Sequence, residues 1–167
     1  MAERGIAAYK IYMVVDTGRS YPHPSAIGVH DHGDLYNAMK AIAETGCRLM
    51  VHPHDQRIMD VVEQEYWAKG DRSPQAYGKT LAVDDGIIWD TATALLIRMA
   101  EATGCPLHIV HVQTTRQVEM LAEARAKGID VTGEVNHWAL FLGKMSDIDE
   151  QGSYVLSYYV QIGRAHV

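Results

Sequence analysis

Apolar residues along this chain follow two alternating spacings. Short runs rich in β-branched and aromatic residues predict strands at Ala7 to Val15 (AAYKIYMVV), Arg48 to His52 (RLMVH), Leu107 to Val112 (LHIVHV) and Asp130 to Val135. Between these runs the apolar residues fall three and four apart, the spacing of one helix face. Leu35, Met39 and Ile42 follow Asp34, which is placed to cap a helix ended by Gly46. Further helices are expected from Gln56 to Lys69, from Asp84 to Thr103 (with Ile88, Ala92, Leu95 and Met99 in phase) and from Thr115 to Lys127. Residues 70–83, holding Gly70, Pro74 and Gly78, read as a loop.

A weak internal repeat organises these elements. Thr45-Gly-Cys-Arg-Leu and Thr103-Gly-Cys-Pro-Leu each lead into a strand that ends in histidine, and Lys127-Gly-Ile-Asp-Val repeats the shape without one. The unit is therefore helix, glycine stop, strand. Repeated βα units argue for a parallel α/β sheet with right-handed crossovers. A doubly wound nucleotide fold would share that pattern, but no GxGxxG or GxxxxGK[ST] follows any strand. Histidines at strand ends favour a barrel, where chemistry sits at the carboxyl ends of the strands.

Composition narrows the class without changing it. The 167 residues are 47% hydrophobic and 22% charged, ordinary globular usage for one domain or part of one. Net charge is −6 with no Lys or Arg block, which disfavours nucleic acid or an anionic membrane as partner. No apolar run approaches the roughly 20 residues of a membrane span, and the start MAERGIAAYK lacks the features of a signal peptide. Cys47 and Cys105 read as buried free thiols of a reducing, cytoplasmic compartment.

The candidate chemistry lies in Lys10, His52 and His111, each from a different βα unit. A lysine inside AAYKIYMVV is costly to desolvate as an ammonium, so its pKa should fall, and the neutral amine can react with carbon dioxide. Imidazole at a strand terminus is a common zinc ligand. Strand alternation is expected to place Lys10 with Ala8 and Tyr12, His52 with Met50, and His111 with Leu107 and Ile109. His54 and His108 should then point elsewhere. A bland reading stands beside each residue: strand-end histidines are commonly hydrogen-bonded structural groups, and Lys10 can extend its ammonium to the rim.

Four segments resemble the amidohydrolase superfamily, in particular its dihydroorotase, hydantoinase and allantoinase group. Ala8-Tyr-Lys10-Ile-Tyr-Met resembles the segment whose lysine becomes carboxylated and bridges two metals. Leu49-Met-Val-His52-Pro-His54-Asp55 and Leu107-His-Ile-Val-His111-Val-Gln-Thr resemble the next two strands, each with a metal histidine. Ala122 to Glu134 (AEARAKGIDVTGE) resembles the stretch A-R-x-x-G-x-x-V-T-x-E. The resemblance implies the middle four βα units of a (β/α)8 barrel over residues 1–161. It also implies a divalent metal cofactor, two zinc ions per full-length subunit, a small cyclic amide or ureide substrate and a homo-oligomer. Lys10 would be the carboxylated bridge, with His52 and His111 as ligands of one metal. Arg19, Tyr21, His54 and Asn136 are the candidate substrate contacts.

Departures from the family pattern fall on the substrate side. His54 stands where relatives have glutamate and Pro53 where they have alanine; Val15 replaces a hydantoinase tyrosine, and Val135-Asn-His-Trp-Ala-Leu replaces P-H-H-L. The segment from Asp16 to His32, with Arg19, Tyr21, His23 and His30, is a candidate lid read as a solvated loop. The family's H-x-H pair is expected upstream of Met1 and its proton-shuttling aspartate beyond the C-terminus, so this chain alone should be inactive. Ile162 to Val167 match one frame of a sequencing adapter and are set apart as a non-native tail. The apolar edge at Tyr9, Ile11, Met13 and Val15 is an aggregation risk if left uncovered. Two other readings on the same barrel are a non-catalytic interaction protein that has lost its ligands, and a deaminase, a group that generally lacks the bridging lysine.

Overall fold

The computed structural model describes residues 2–13, 28–29 and 31–135. Arg19, Tyr21, His23, His30, Asn136, Val15 and the tail from Ile162 lie outside these residues. Four strands form one parallel sheet in chain order: β1 (Ala8–Tyr12), β2 (Arg48–His52), β3 (Leu107–Val112) and β4 (Val131–Val135). Helices α1 (His32–Ala43), α2 (Gln56–Ala68), α3 (Pro74–Leu81), α4 (Ile87–Thr103) and α5 (Thr115–Ala126) lie between them in sequence. This is the sequential parallel arrangement that the helix–glycine–strand repeat predicts, a partial (β/α) barrel.

The repeat has a local cause. Thr45 and Thr103 each turn the hydroxyl back onto the end of the preceding helix, donating to the Ile42 carbonyl at 2.7 Å and the Met99 carbonyl at 2.8 Å. Each then accepts from the following cysteine N–H, at 3.2 Å from Cys47 and 3.3 Å from Cys105. The glycine between them is left-handed in both copies, φ 68° at Gly46 and at Gly104. Together the three residues end a helix and aim the chain into the next strand.

Three boundaries differ from the sequence expectation. Residues 70–83 contain α3, because Ser73 caps it by accepting from the Ala76 N–H at 3.1 Å and Pro74 occupies its first turn. Proline there is a start signal rather than a break. The cap of α1 is Asp31, which accepts from Gly33 and Asp34, so Asp34 lies inside the helix it was expected to begin. Helix α4 begins at Ile87, after a 3-10 turn at Val83–Asp85 and the left-handed Gly86 (φ 97°).

One sheet face is wholly apolar. Leu49, Val51, Leu107, Ile109 and Val131 are fully buried there against Leu35 and Met39 of α1, Leu96 of α4 and Leu121 of α5. Full burial of each such side chain is worth about 1.5–3 kcal/mol. Tyr9 and Ile11 of β1 pack against this core, and Met13 just after the strand is 2% exposed, so this apolar edge is largely covered. At the opposite end of the strands, Arg48 donates to the Leu107 carbonyl (2.8 Å) and to Asp130 (2.7 Å), tying β2, β3 and the entry to β4.

Register corrects the expected alternation. Lys10 lies opposite Met50, Met50 opposite His108, and His108 opposite Thr132, so these four share the inner face. Leu107 and Ile109 belong to the outer, helix-covered core. Strict alternation from them would send His111 outward as well. Between Ile109 and Val112, however, β3 advances three residues while β4 advances two, from Gly133 to Val135. This bulge places His111 at φ 58° and returns Val112 to the core.

Gly133 makes room for that irregularity. A Cβ there would lie 2.8 Å from Leu121 Cδ1 and 2.8 Å from Val112 Cγ2. Gly133→Ala is therefore expected to destabilise the chain by about 1–3 kcal/mol through overpacking. A urea midpoint unchanged from the parent would refute this account of the bulge.

Candidate functional site

The inner, carboxyl-terminal part of the sheet gathers the histidines. His52 ends β2 and is 2% exposed. Its ring centre lies 5.2 Å from that of His111, with the planes at 70°, and 5.4 Å from the Trp89 ring at 76°. Tyr12, opposite His52 across β1 and β2, is 6.1 Å away. Edge-to-face aromatic packing of this kind fixes ring orientation as well as position. Trp89 is itself held, donating its indole N–H to the Leu81 carbonyl at 3.0 Å.

His54 is also 2% exposed, stacked 6.1 Å from His52 and edge-on to Trp89 at 5.7 Å, with Nε2 against Met59 Sδ. It is part of the packing around His52 rather than turned away from it. His108 likewise faces inward, its Nδ1 paired with Thr132 Oγ1 at 2.8 Å and its Nε2 3.6 Å from Glu134. Both placements differ from the expectation that these two histidines point elsewhere. The cause is the side assignment of β3 for His108 and, for His54, its packing against Trp89 and Met59.

Lys10 stands in the middle of β1, open to solvent, with its ammonium 4.8 Å from the centre of the Tyr12 ring. Partial burial lowers its pKa to about 8, and the Glu134 carboxylate opposes that shift. His111 is also lowered, first by burial and then by the Lys10 charge, with Glu134 again opposing. Glu134 thus joins Lys10, His111 and His108 into one electrostatic group, although sequence reading used it only as part of a motif. Its signal was present: a glutamate two residues beyond Thr132 on a strand shares its face. Among the described residues, no group of three or more His, Cys, Asp or Glu side chains is arranged to hold a metal ion.

The chain has curated relatives over most of its length. Over 160 residues the chain is 31% identical to a D-hydantoinase of Streptomyces coelicolor, covering 94% of the chain and 32% of that protein. Over 153 residues it is 30% identical to an allantoinase of Bacillus licheniformis, covering 90% of the chain and 32% of that relative. The chain is a homologue of the cyclic amidohydrolases. It spans about a third of the length of the curated relatives it matches. The L-hydantoinase (dihydropyrimidinase) from Arthrobacter aurescens shares the fold, with a TM-score of 0.79 over 98% of this chain and 34% of that one at 22% identity. No protein-family profile matches the sequence. No helix among the described residues of this amidohydrolase homologue is long and apolar enough to cross a membrane.

The Lys10–His111–Glu134 group has a definite pH signature. Between about pH 8 and the ordinary lysine value of 10.5 the unfolded chain binds more protons at this position than the folded one. Stability contributed by Lys10 therefore rises with pH through that window. Removing the charge in Lys10→Met should raise the His111 midpoint, whereas Glu134→Gln should lower the midpoints of both His111 and Lys10. Side-chain NMR titration reads both, and shifts of the opposite sign would dismantle the group.

Proposed function

We propose that the full protein carrying this chain hydrolyses a C–N bond of a small cyclic amide or ureide at a divalent-metal centre. The observation that carries this reading is the His52–His111 pair at the carboxyl ends of adjacent strands, in a homologue of hydantoinases and allantoinases. The pair suits one ion. With each nitrogen about 2.0–2.1 Å from zinc, and the ring centre about 1.1 Å behind it, a tetrahedral angle separates the two centres by about 5.1 Å. The separation of 5.2 Å here supports that use.

The residues of this chain then have distinct tasks. His52 and His111 would hold one ion through neutral imidazoles, and the lowered pKa of His111 favours that neutral form. Lys10, deprotonated at modest cost, would add carbon dioxide: its nitrogen would bond to the carbon as one C=O π pair moves to oxygen, one proton would leave, and the carbamate would supply two oxygen donors. Bound ions, two zinc per subunit by resemblance, would supply Lewis acidity and lower the pKa of water. Arg19, Tyr21, His54 and Asn136 remain the candidates for orienting the ring, within a cytoplasmic homo-oligomer. His52, His111 and Lys10 by themselves would complete neither a two-metal donor set nor a proton shuttle, so ring opening would need donors beyond these three.

Three measurements test this. Loss of an outer-shell partner costs 10–100-fold in metal affinity as a rule, so His52→Ala and His111→Ala should each weaken zinc binding by at least about 100-fold. Labelled bicarbonate at alkaline pH should give a carbamate carbonyl signal that Lys10→Ala abolishes. The full-length protein should hydrolyse hydantoin, allantoin, dihydrouracil or dihydroorotate and lose that activity to chelators. Turnover of none of these after metal reconstitution would sink the proposal.

A further inference from the structure

We propose that Asp90, Thr114 and Gln117 form a buried clamp that aims the His111 ring, a positioning role that rests on reading His111 as a site residue. Its elements belong to two helices. Gln117 of α5 is fully buried, and its carbonyl oxygen accepts from the backbone N–H of Gln113 at 2.7 Å and of Thr114 at 3.1 Å. Its amide donates to Thr93 Oγ1 of α4 at 2.7 Å. Thr114 accepts from the Gln117 N–H at 3.0 Å and donates to Asp90 Oδ1 of α4 at 2.5 Å. The other Asp90 oxygen lies 3.6 Å from Arg116.

Part of this is a capping box, which needs only Thr114 and Gln117. An ordinary box is local to one helix. Here the Gln117 oxygen also takes the N–H two residues after His111, and both box residues are tied to α4 through buried side chains. Gly86 adds a close approach, since a Cβ on it would come 2.5 Å from Thr114 Cγ2. His111 is left-handed at φ 58°, a conformation that persists only where the surroundings over-determine it. On one side the β3 bulge sets it, and on the other the residues fixed by Gln117.

The link to α4 also couples the two histidines. Trp89, edge-on to His52, and Asp90, bonded to Thr114, are adjacent in the first turn of that helix. A connection between α4 and α5 meant only for stability has no need of a buried carboxylate, because apolar residues of similar volume serve as well. The polar clamp is explained by direction: hydrogen bonds fix the orientation of the segment after His111, which apolar packing would leave loose.

The test uses the 167-residue chain with labelled histidines. The nuclear Overhauser contact between the His52 and His111 rings is the primary readout and zinc affinity the second. Gln117→Leu and Asp90→Ala should lose the ring contact and bind zinc at least about tenfold more weakly, the range of outer-shell losses. Gln117→Glu and Asp90→Asn, which keep the acceptors, should restore both. If Gln117→Leu does not fold, Thr93→Val breaks only the anchor of Gln117 and should shift the His111 ring signals. Ring contact and zinc affinity unchanged in Gln117→Leu and Asp90→Ala, with only the unfolding midpoint lowered, would overturn the clamp. Zinc affinity unchanged in His111→Ala would instead remove the metal reading, and the ring contact would still decide the clamp.

Discussion

The first turn of α4 is wedged beneath the carboxyl ends of β2 and β3, and the geometry of both strand-end histidines follows from that contact. Ile88 supplies its carbonyl to the Asp55 N–H at 3.0 Å, which fixes the turn after His52. Trp89 presses on His52 and His54, and Asp90 holds Thr114 after His111. Three successive residues thus reach two neighbouring βα turns. The left-handed Gly86 is what lets the helix start this close, since a side chain there would collide with Thr114.

This packing explains how β3 tolerates an unfavourable backbone. A non-glycine residue in the left-handed region costs roughly 1–2 kcal/mol. His111 adopts it because the bulge is locked from both sides, by the close fit of Val112 and Leu121 over Gly133 and by the hydrogen bonds of Gln117. The return is directional. An unbulged strand would leave His111 on the helix-covered face with Leu107 and Ile109, away from His52.

Much of the architecture was legible because it rests on periodic and local rules. The threonine–glycine–cysteine repeat marked two helix ends correctly since its hydrogen bonds involve only neighbouring residues. Strand order followed from the repeat as well. The parity of β3 was not legible, because a one-residue bulge leaves no mark in the spacing of apolar residues. Helix α3 was missed when Pro74 and Gly78 were weighed as breakers, although Ser73-Pro74 is also a start signal. Lys10, His52 and His111 were found as chemistry-bearing types at strand positions. Asp90, Thr93 and Gln117 left a fainter trace, polar residues on the buried sides of helices, whose partners lie 24 residues apart in sequence.

The two sheet faces divide the labour between stability and chemistry. The outer face is sealed by helices, and its apolar side chains carry the folding energy. On the inner face His52 is nearly inaccessible and held in a T-shaped contact with Trp89, so its orientation is set before any ligand arrives. Preorganised donors lose little freedom on binding, which is where affinity is otherwise spent. Lys10 is the opposite case: accessible, yet desolvated enough to lower its pKa to about 8 against the opposing Glu134 charge. A deeply buried amine would be neutral but closed to a small reactant, and a fully solvated one would stay protonated near neutral pH. If Lys10 is carboxylated as proposed, a pKa of about 8 with an open path would leave the amine reachable and a larger fraction of it neutral than in an ordinary lysine. Under the proposed function, rigid imidazoles and a reachable amine on adjacent strands would be two answers to one demand, that the site be assembled before the substrate and completed from solution.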